Sequence, residues 1–308
     1  MIFALREENK TWSSEEKELR TIRIHIDVNT ICNQKCPYCY SRQEKQNWGL
    51  LMSNPYIDEE LFPSISKLAE YTLSNDKFLD FVLLGGEPTL HPRFNEMLRF
   101  ILSYSNTRVS ITSNGTKGYN NFPASDKVRW AFTYHPSQVK DVHRWIAPIL
   151  ERKNDWWEVA ISPLIDCWGT EEIIKTYAKN VKNVISLCNE HGLKVQPTFQ
   201  FNPYLDGEVH IDMTLVERYY PFLEAEHPIY VYDEKYVNDF TILRDKLNYL
   251  KGCRCVNNNF DLSVRGELRR CCSNELVSWK DLESIDMNMI CPLNECTCYG
   301  FLSLHKEI

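Results

Sequence analysis

Between residues 21 and 201 the chain alternates short apolar runs with stretches of helical character, and this alternation constrains the fold more than any other feature. The runs are TIRIHIDV (21–28), DFVLLGG (80–86), RVSITSNG (108–115), VRWAFTYHP (128–136), WEVAISPLI (157–165) and KVQPTFQF (194–201), all rich in β-branched and aromatic residues. Helical periodicity fills 57–75 and 170–192, the latter with acids early and a glycine at its end. A strand followed by a helical crossover returns parallel to its predecessor, so the pattern implies a parallel sheet covered by helices. Six strands fall short of the eight of a closed barrel. The expected fold class is therefore α/β, a partial (β/α)6 barrel with its function at the C-terminal ends of the strands. At those ends stand CNQKCPYC (32–39), GGEP (85–88) and TSNGT (112–116).

The barrel is expected over 1–205, a connecting helical segment over 206–250, and a small cysteine-rich domain over 251–308, built around the hairpin FDLSVRGELRRCC (260–272) with Gly266 at its turn. There is no internal repeat. The N-terminus turns charged after five residues, and no apolar run approaches the ~18 residues of a membrane span, so a cytoplasmic protein without a membrane partner is expected. The net charge of −7 gives no support to a nucleic-acid partner, though a local basic groove stays open.

Twelve cysteines in a reducing compartment are not expected to pair as disulfides. Three fall at 32, 36 and 39, and seven at 253, 255, 271, 272, 291, 296 and 298; Cys167 and Cys188 stand alone and read as structural. Zinc usually takes four ligands in two close pairs, whereas Cys32, Cys36 and Cys39 form one loop with no nearby fourth ligand. Three soft thiolates with one position left over suit a cubic iron–sulfur cluster whose fourth iron binds a substrate or cofactor. The second group also points to metal, with Cys255 and Cys271 at the two ends of the Gly266 hairpin and CPLNECTC returning with Cys291, Cys296 and Cys298. Zinc stays open there.

The C-x3-C-x2-C loop after the first strand, with aromatic Tyr40 behind it and GGEP after the second strand, resembles the radical S-adenosylmethionine (radical SAM) superfamily. The resemblance implies a [4Fe–4S] cluster on Cys32, Cys36 and Cys39, and S-adenosyl-L-methionine held through Tyr40, Gly85, Gly86, Glu87, Pro88, Ser113 and Asn114. Glu87 would face the methionine ammonium group, and the two glycines would let the backbone approach a ligand. The C-terminal pattern resembles the SPASM and twitch auxiliary-cluster modules. It departs from the full SPASM run, so the resemblance implies one second [4Fe–4S] cluster among Cys255, Cys271, Cys291, Cys296 and Cys298. That cluster would act as an electron relay, and its module is expected over the open end of the barrel.

The implied activity is reductive cleavage of S-adenosylmethionine to a 5′-deoxyadenosyl radical that abstracts hydrogen from a substrate, with flavodoxin or ferredoxin as electron donor. Peptide modification is the leading expectation. The chain starts almost directly with the first strand, so a separate partner would grip a leader peptide. The alternatives are an isomerase, epimerase or dehydrogenase acting on a nucleotide, a modified base of nucleic acid or another small molecule, and a non-catalytic iron–sulfur electron carrier or redox sensor. GGEP argues against the last, since an electron carrier needs no cofactor cradle. Tyr134 and His135 in TYHPSQ, His91 in TLHP, and Gln196 and Gln200 lie where substrate would sit, although a turn role is the expectation for both histidines. Trp156, Trp157 and Trp168 are expected in core or interface.

Overall fold

A computed structural model of the chain describes residues 20–29, 31–36, 60–116, 121–165, 169–199, 213–223, 229–230, 236–237, 259–262, 266–270 and 276–277. The runs expected as strands form β1 (Thr21–Asn29), β2 (Phe78–Gly85), β3 (Thr107–Ser113), β4 (Ser125–Tyr134), β5 (Trp156–Ile165), β6 (Lys194–Val195) and β7 (Thr198–Phe199). The helices are α1 (Leu61–Ser74), α2 (Phe94–Leu102), α3 (Val142–Arg152), α4 (Glu171–Glu190) and α5 (Met213–Tyr219). β1 to β6 pair in parallel in chain order, and β7 pairs with β5 further along it. This is the expected open α/β sheet. The sixth run is split in two because Pro197 has no N–H to donate, leaving Gln196 N to bond Ile161 O at 2.8 Å. α2 and α3, of 9 and 11 residues, are additional to the two helical patterns expected.

One face of the sheet is core. Ile22, Ile24, Ile26 and Val28 alternate along β1 and, with Leu79, Phe81, Leu83, Val109 and Ile111, are almost wholly buried. They pack against the apolar stripes of α1 (Leu61, Ile65, Leu68) and α2 (Phe94, Met97, Leu98, Ile101). Each such side chain contributes about 1.5–3 kcal/mol by leaving water. Trp130 stacks between Phe122 and Phe132, with ring centroids at 5.4 and 5.2 Å.

The opposite, concave face is polar, and its rows follow from the register. Arg23, Asp80 and Arg108 stand side by side, then Ser110, Arg129 and Glu158, and then Thr112, Ala131 and Ala160. Asp80 receives Ser110 Oγ at 3.2 Å and pairs with Arg23 and Arg108 at 3.4 and 3.3 Å, while Glu158 holds Arg129 at 2.6 Å and Lys194 at 3.4 Å. These ion pairs occupy the N-terminal halves of the strands. Asp27, Leu84, Thr112, Thr133 and Ser162 line the C-terminal halves.

β8 (Ile229–Tyr230) and β9 (Tyr236–Val237) form a short antiparallel pair. The expected hairpin is present as β10 (Asn259–Leu262) and β11 (Leu268–Arg270), with Gly266 between them at φ +76 and β12 (Leu276–Val277) alongside β11. β10 adds in parallel to the free edge of β1, with Ile24 opposite Phe260, and Gly266 O accepts Ser64 Oγ of α1 at 3.3 Å. Cys253, Cys255, Cys271, Cys272, Cys291, Cys296 and Cys298 lie outside the described residues, as do Cys39, Tyr40, Cys167, Trp168 and Gln200. Among the described residues no helix is long and apolar enough to cross a membrane.

Candidate cofactor and cluster site

The loop bearing Cys32 and Cys36 is seated by the two glycines that end β2. Gly86 N donates to Asn29 O and Glu87 N to Ile31 O, both at 2.7 Å, so β1–β2 pairing continues past the strand ends. A Cβ on Gly86 would stand 2.3 Å from Ile31 O, and one on Gly85, which has φ +126, 2.4 Å from Asn29 O. The close approach these glycines allow is therefore to the root of the cysteine loop. Asn29 clamps the same junction, its Nδ2 donating to Glu87 O at 3.1 Å and its Oδ1 accepting Ile31 N at 2.9 Å.

Glu87 is fully buried. Its Oε1 accepts Thr89 Oγ1 at 2.6 Å, Ser113 Oγ at 2.9 Å and Thr89 N at 3.2 Å, and its Oε2 accepts Asn114 N at 2.7 Å. The carboxylate caps the one-turn helix Pro88–Leu90 and ties the end of β2 to the end of β3. Burial raises its pKa above the ordinary glutamate value despite the opposing hydrogen bonds from Thr89, Asn114 and Ser113. Gly85, Gly86, Glu87, Pro88, Ser113 and Asn114 are thus brought together. The contacts of Glu87, Ser113 and Asn114 run within the protein.

Asn114 carries the network to the cysteines. Its Nδ2 lies 2.9 Å from Asn33 Oδ1 and 3.7 Å from Cys32 Sγ, which also accepts Gln34 N at 3.4 Å. Asn33 Nδ2 reaches Thr116 Oγ1 at 2.7 Å. A sulfur that accepts two N–H donors is set up as a thiolate. Cys32 is exposed and Cys36 buried. Soft sulfur on a short loop with N–H groups aimed at it fits an iron–sulfur cluster better than a hard cation. Among the described residues no group of three metal ligands is complete, the third cysteine lying outside them.

On the far side the loop meets the turn after β4. Lys35 N donates to Gln138 Oε1 at 3.0 Å, and Cys36 Sγ lies 3.4 Å from His135 Nδ1. Burial lowers the pKa of His135 to about 4. Tyr134 is core, its hydroxyl donating to Val139 O at 3.2 Å. His91 is a turn residue, its Nδ1 accepting Arg93 N at 3.1 Å. Gln196 accepts from Arg129 at 3.1 Å on the concave face. Cys188 is buried in α4 with its thiol pushed up to about 12, as a structural cysteine should be. Trp156 is core, whereas Trp157 is exposed beneath the Arg108 guanidinium.

Several positioning residues carry little sequence signal. Asn29 and Gln138 act through contacts between distant segments, and Trp145 of α3 supports the third strand end by donating Nε1–H to Asn114 O at 2.9 Å. Asp27 faces the concave side from β1. Solvent reaches its side chain, yet the surrounding protein pushes its carboxyl up to about 6.

Residues 26–128 match the family model of the Radical SAM superfamily. An S-adenosylmethionine-dependent nucleotide dehydratase of the Thermoplasmatales archaeon (strain ISO4-H5) is 22% identical over 223 residues, which are 71% of this chain and 62% of that protein. The chain thus spans under two thirds of that curated relative. Among solved structures, a polyhistidine-tagged anSMEcpe with bound AdoMet has a TM-score of 0.51 at 16% identity, covering 82% of this chain and 74% of its own. Streptococcus suis SuiB bound to S-adenosylmethionine has a TM-score of 0.53 at 12% identity, covering 86% and 65%. These structures share the fold, and the match to the Radical SAM family model is confined to residues 26–128.

Proposed function

We propose that the chain is a radical SAM enzyme, that Cys32, Cys36 and Cys39 hold a [4Fe–4S] cluster and that the ends of β2 and β3 hold S-adenosylmethionine beside it. The observation that carries this reading is the seating of the cysteine loop on Gly85 and Gly86, with Asn114 reaching both Glu87 and Cys32. When bound, the cluster supplies the single electron that cleaves S-adenosylmethionine, and the resulting 5′-deoxyadenosyl radical takes a hydrogen atom from substrate. The chain's own residues position and polarise. Gln34 N and Asn114 Nδ2 stabilise the thiolate of Cys32, and Glu87 holds the two strand ends at a fixed separation. Asp27, Thr112, Thr133 and Ser162 offer polar groups to a substrate on the concave face.

The C-terminal cysteines, Cys255, Cys271, Cys291, Cys296 and Cys298, hold an auxiliary cluster in this proposal, and it moves an electron to or from the substrate radical. Their density between residues 253 and 298 supports metal binding. Peptide modification is the leading substrate reading, since SuiB is also solved with its precursor peptide SuiA. A second reading, a nucleotide, is favoured by the nucleotide dehydratase relative and by the concave face, where Arg23, Arg108, Arg129 and Lys194 outnumber Asp27, Asp80 and Glu158.

The test is anaerobic reconstitution followed by dithionite and S-adenosylmethionine. Wild type should form 5′-deoxyadenosine, and a C32A/C36A/C39A variant should form none and hold about four fewer irons. Iron-loaded wild type that forms no 5′-deoxyadenosine overturns the reading. Stimulation by nucleotides, or instead by a precursor peptide, separates the two substrate classes.

A further inference from the structure

The contact between the cysteine loop and the β4 turn bears on how the cluster would be poised. Among the described residues, Cys36 Sγ lies 3.7 Å from the carboxamide oxygen of Gln34 and 3.4 Å from His135 Nδ1. The backbone that carries the imidazole is held in place before any cluster arrives. His135 O accepts both Gln138 N and Val139 N at 2.9 Å, closing a tight turn, and Gln138 Oε1 fixes the loop itself through Lys35 N. An iron-bound cysteine is a thiolate and can only accept. A nitrogen at hydrogen-bond distance from it is then stable only as a donor, so the tautomer with hydrogen on Nδ1 is selected.

We propose that His135 is a potential-tuning residue whose Nδ1–H donates to the Cys36 thiolate and makes the cluster of the first cysteine loop easier to reduce. This rests on the reading that Cys32, Cys36 and Cys39 hold that cluster. On reduction the [4Fe–4S] unit gains one electron and no proton, so its sulfurs carry more negative charge and accept hydrogen bonds more strongly. A fixed donor therefore stabilises the reduced state more than the oxidised one. Because His135 acts through Cys36, it is a positioning residue.

The experiment uses the full-length reconstituted protein, titrated with dithionite and followed by electron paramagnetic resonance (EPR) on the signal that S-adenosylmethionine perturbs. In His135→Phe, loss of one charge-assisted hydrogen bond should lower the reduced-to-oxidised ratio at a fixed solution potential about tenfold, equivalent to 59 mV for one electron. His135→Asn places an amide N–H near the former Nδ1 and should restore most of the ratio. Protein grown with 15N-histidine should show a histidine nitrogen coupled to the reduced cluster in pulsed EPR. That measurement needs no variant, and it decides the matter if His135→Phe fails to hold iron. An unchanged ratio in His135→Phe, an Asn variant no better than Phe, or the absence of histidine coupling in wild type overturns the proposal. If wild type shows no signal that responds to S-adenosylmethionine, the underlying cluster reading fails instead.

Discussion

Glu87 is where the arrangement of this site can be tested most directly, because its carboxylate is enclosed by the protein's own donors. Replacing it by alanine strands the N–H groups of Thr89 and Asn114, which belong to the backbone and cannot turn away, while the hydroxyls of Thr89 and Ser113 can rotate toward other acceptors. A hydrogen bond to a charged group contributes about 1.5–3 kcal/mol, and a buried donor left without a partner costs about 1–3 kcal/mol. That gain is outweighed by the cost of burying the charge, which is why the pKa of Glu87 is raised rather than lowered. The net destabilisation should therefore be about 3 kcal/mol, not the sum of four bonds. Glu87→Gln keeps one oxygen for Thr89 and Ser113 but turns an amide toward Asn114 N–H, so it should fall between wild type and alanine. Urea unfolding should be followed without S-adenosylmethionine or iron, so that ligand binding adds nothing to the midpoint. If both variants unfold like wild type and only cofactor affinity falls, Glu87 is a ligand group and the strand-joining argument is wrong.

Gly86→Ala should abolish the cluster signal that S-adenosylmethionine perturbs, because its Cβ would meet Ile31 O at 2.3 Å and displace the cysteine loop; EPR after reconstitution checks this. Asp27→Asn should be pH-dependent. A carboxyl pushed up to about 6 costs nothing below pH 4 and progressively more as pH rises through 6, so the variant should gain about 1 kcal/mol at pH 7.5, after allowance for solvent screening, and nothing at pH 4. Thermal unfolding at the two pH values would show a gain at both, or at neither, if the carboxylate is not the cause. Asp80→Ala leaves Arg23 and Arg108 without their shared anion and should cost about 3 kcal/mol in a urea titration, far more than breaking an exposed pair such as Arg93–Glu96.

Much of the fold was legible because burial on one face writes itself into period. The alternation of Ile22, Ile24, Ile26 and Val28 locates β1 within a residue of its observed end, and the glycine at 266 marks the hairpin turn. α2 and α3 were not, since 9 or 11 residues give barely three turns of pattern. The strand-end motifs were legible as a group, yet the work of the glycines was not. A sequence shows that Gly85 and Gly86 allow a close approach; only the pairing of 86 with 29 and 87 with 31 shows what approaches. The role of His135 was hidden likewise. In sequence it is a histidine before a proline, 99 residues from Cys36, and its neighbour is set by the β-sheet order. Non-local pairing also hid the docking of β10 on β1.

That docking bears on where an auxiliary cluster can act. β10 runs parallel to β1 and β11 antiparallel, so the open end of the hairpin, Asn259 and Arg270, lies beside Arg23 and Ile24. The cysteine loop begins after Asn29, six residues further along β1, and at strand rise that separation is about 20 Å. Cys271 is one peptide bond beyond Arg270 and Cys255 four residues before Asn259. A thiolate ligand at 271 would therefore be tethered to a strand whose hairpin is itself hydrogen-bonded to β1, which ties the proposed auxiliary cluster to the edge of the sheet.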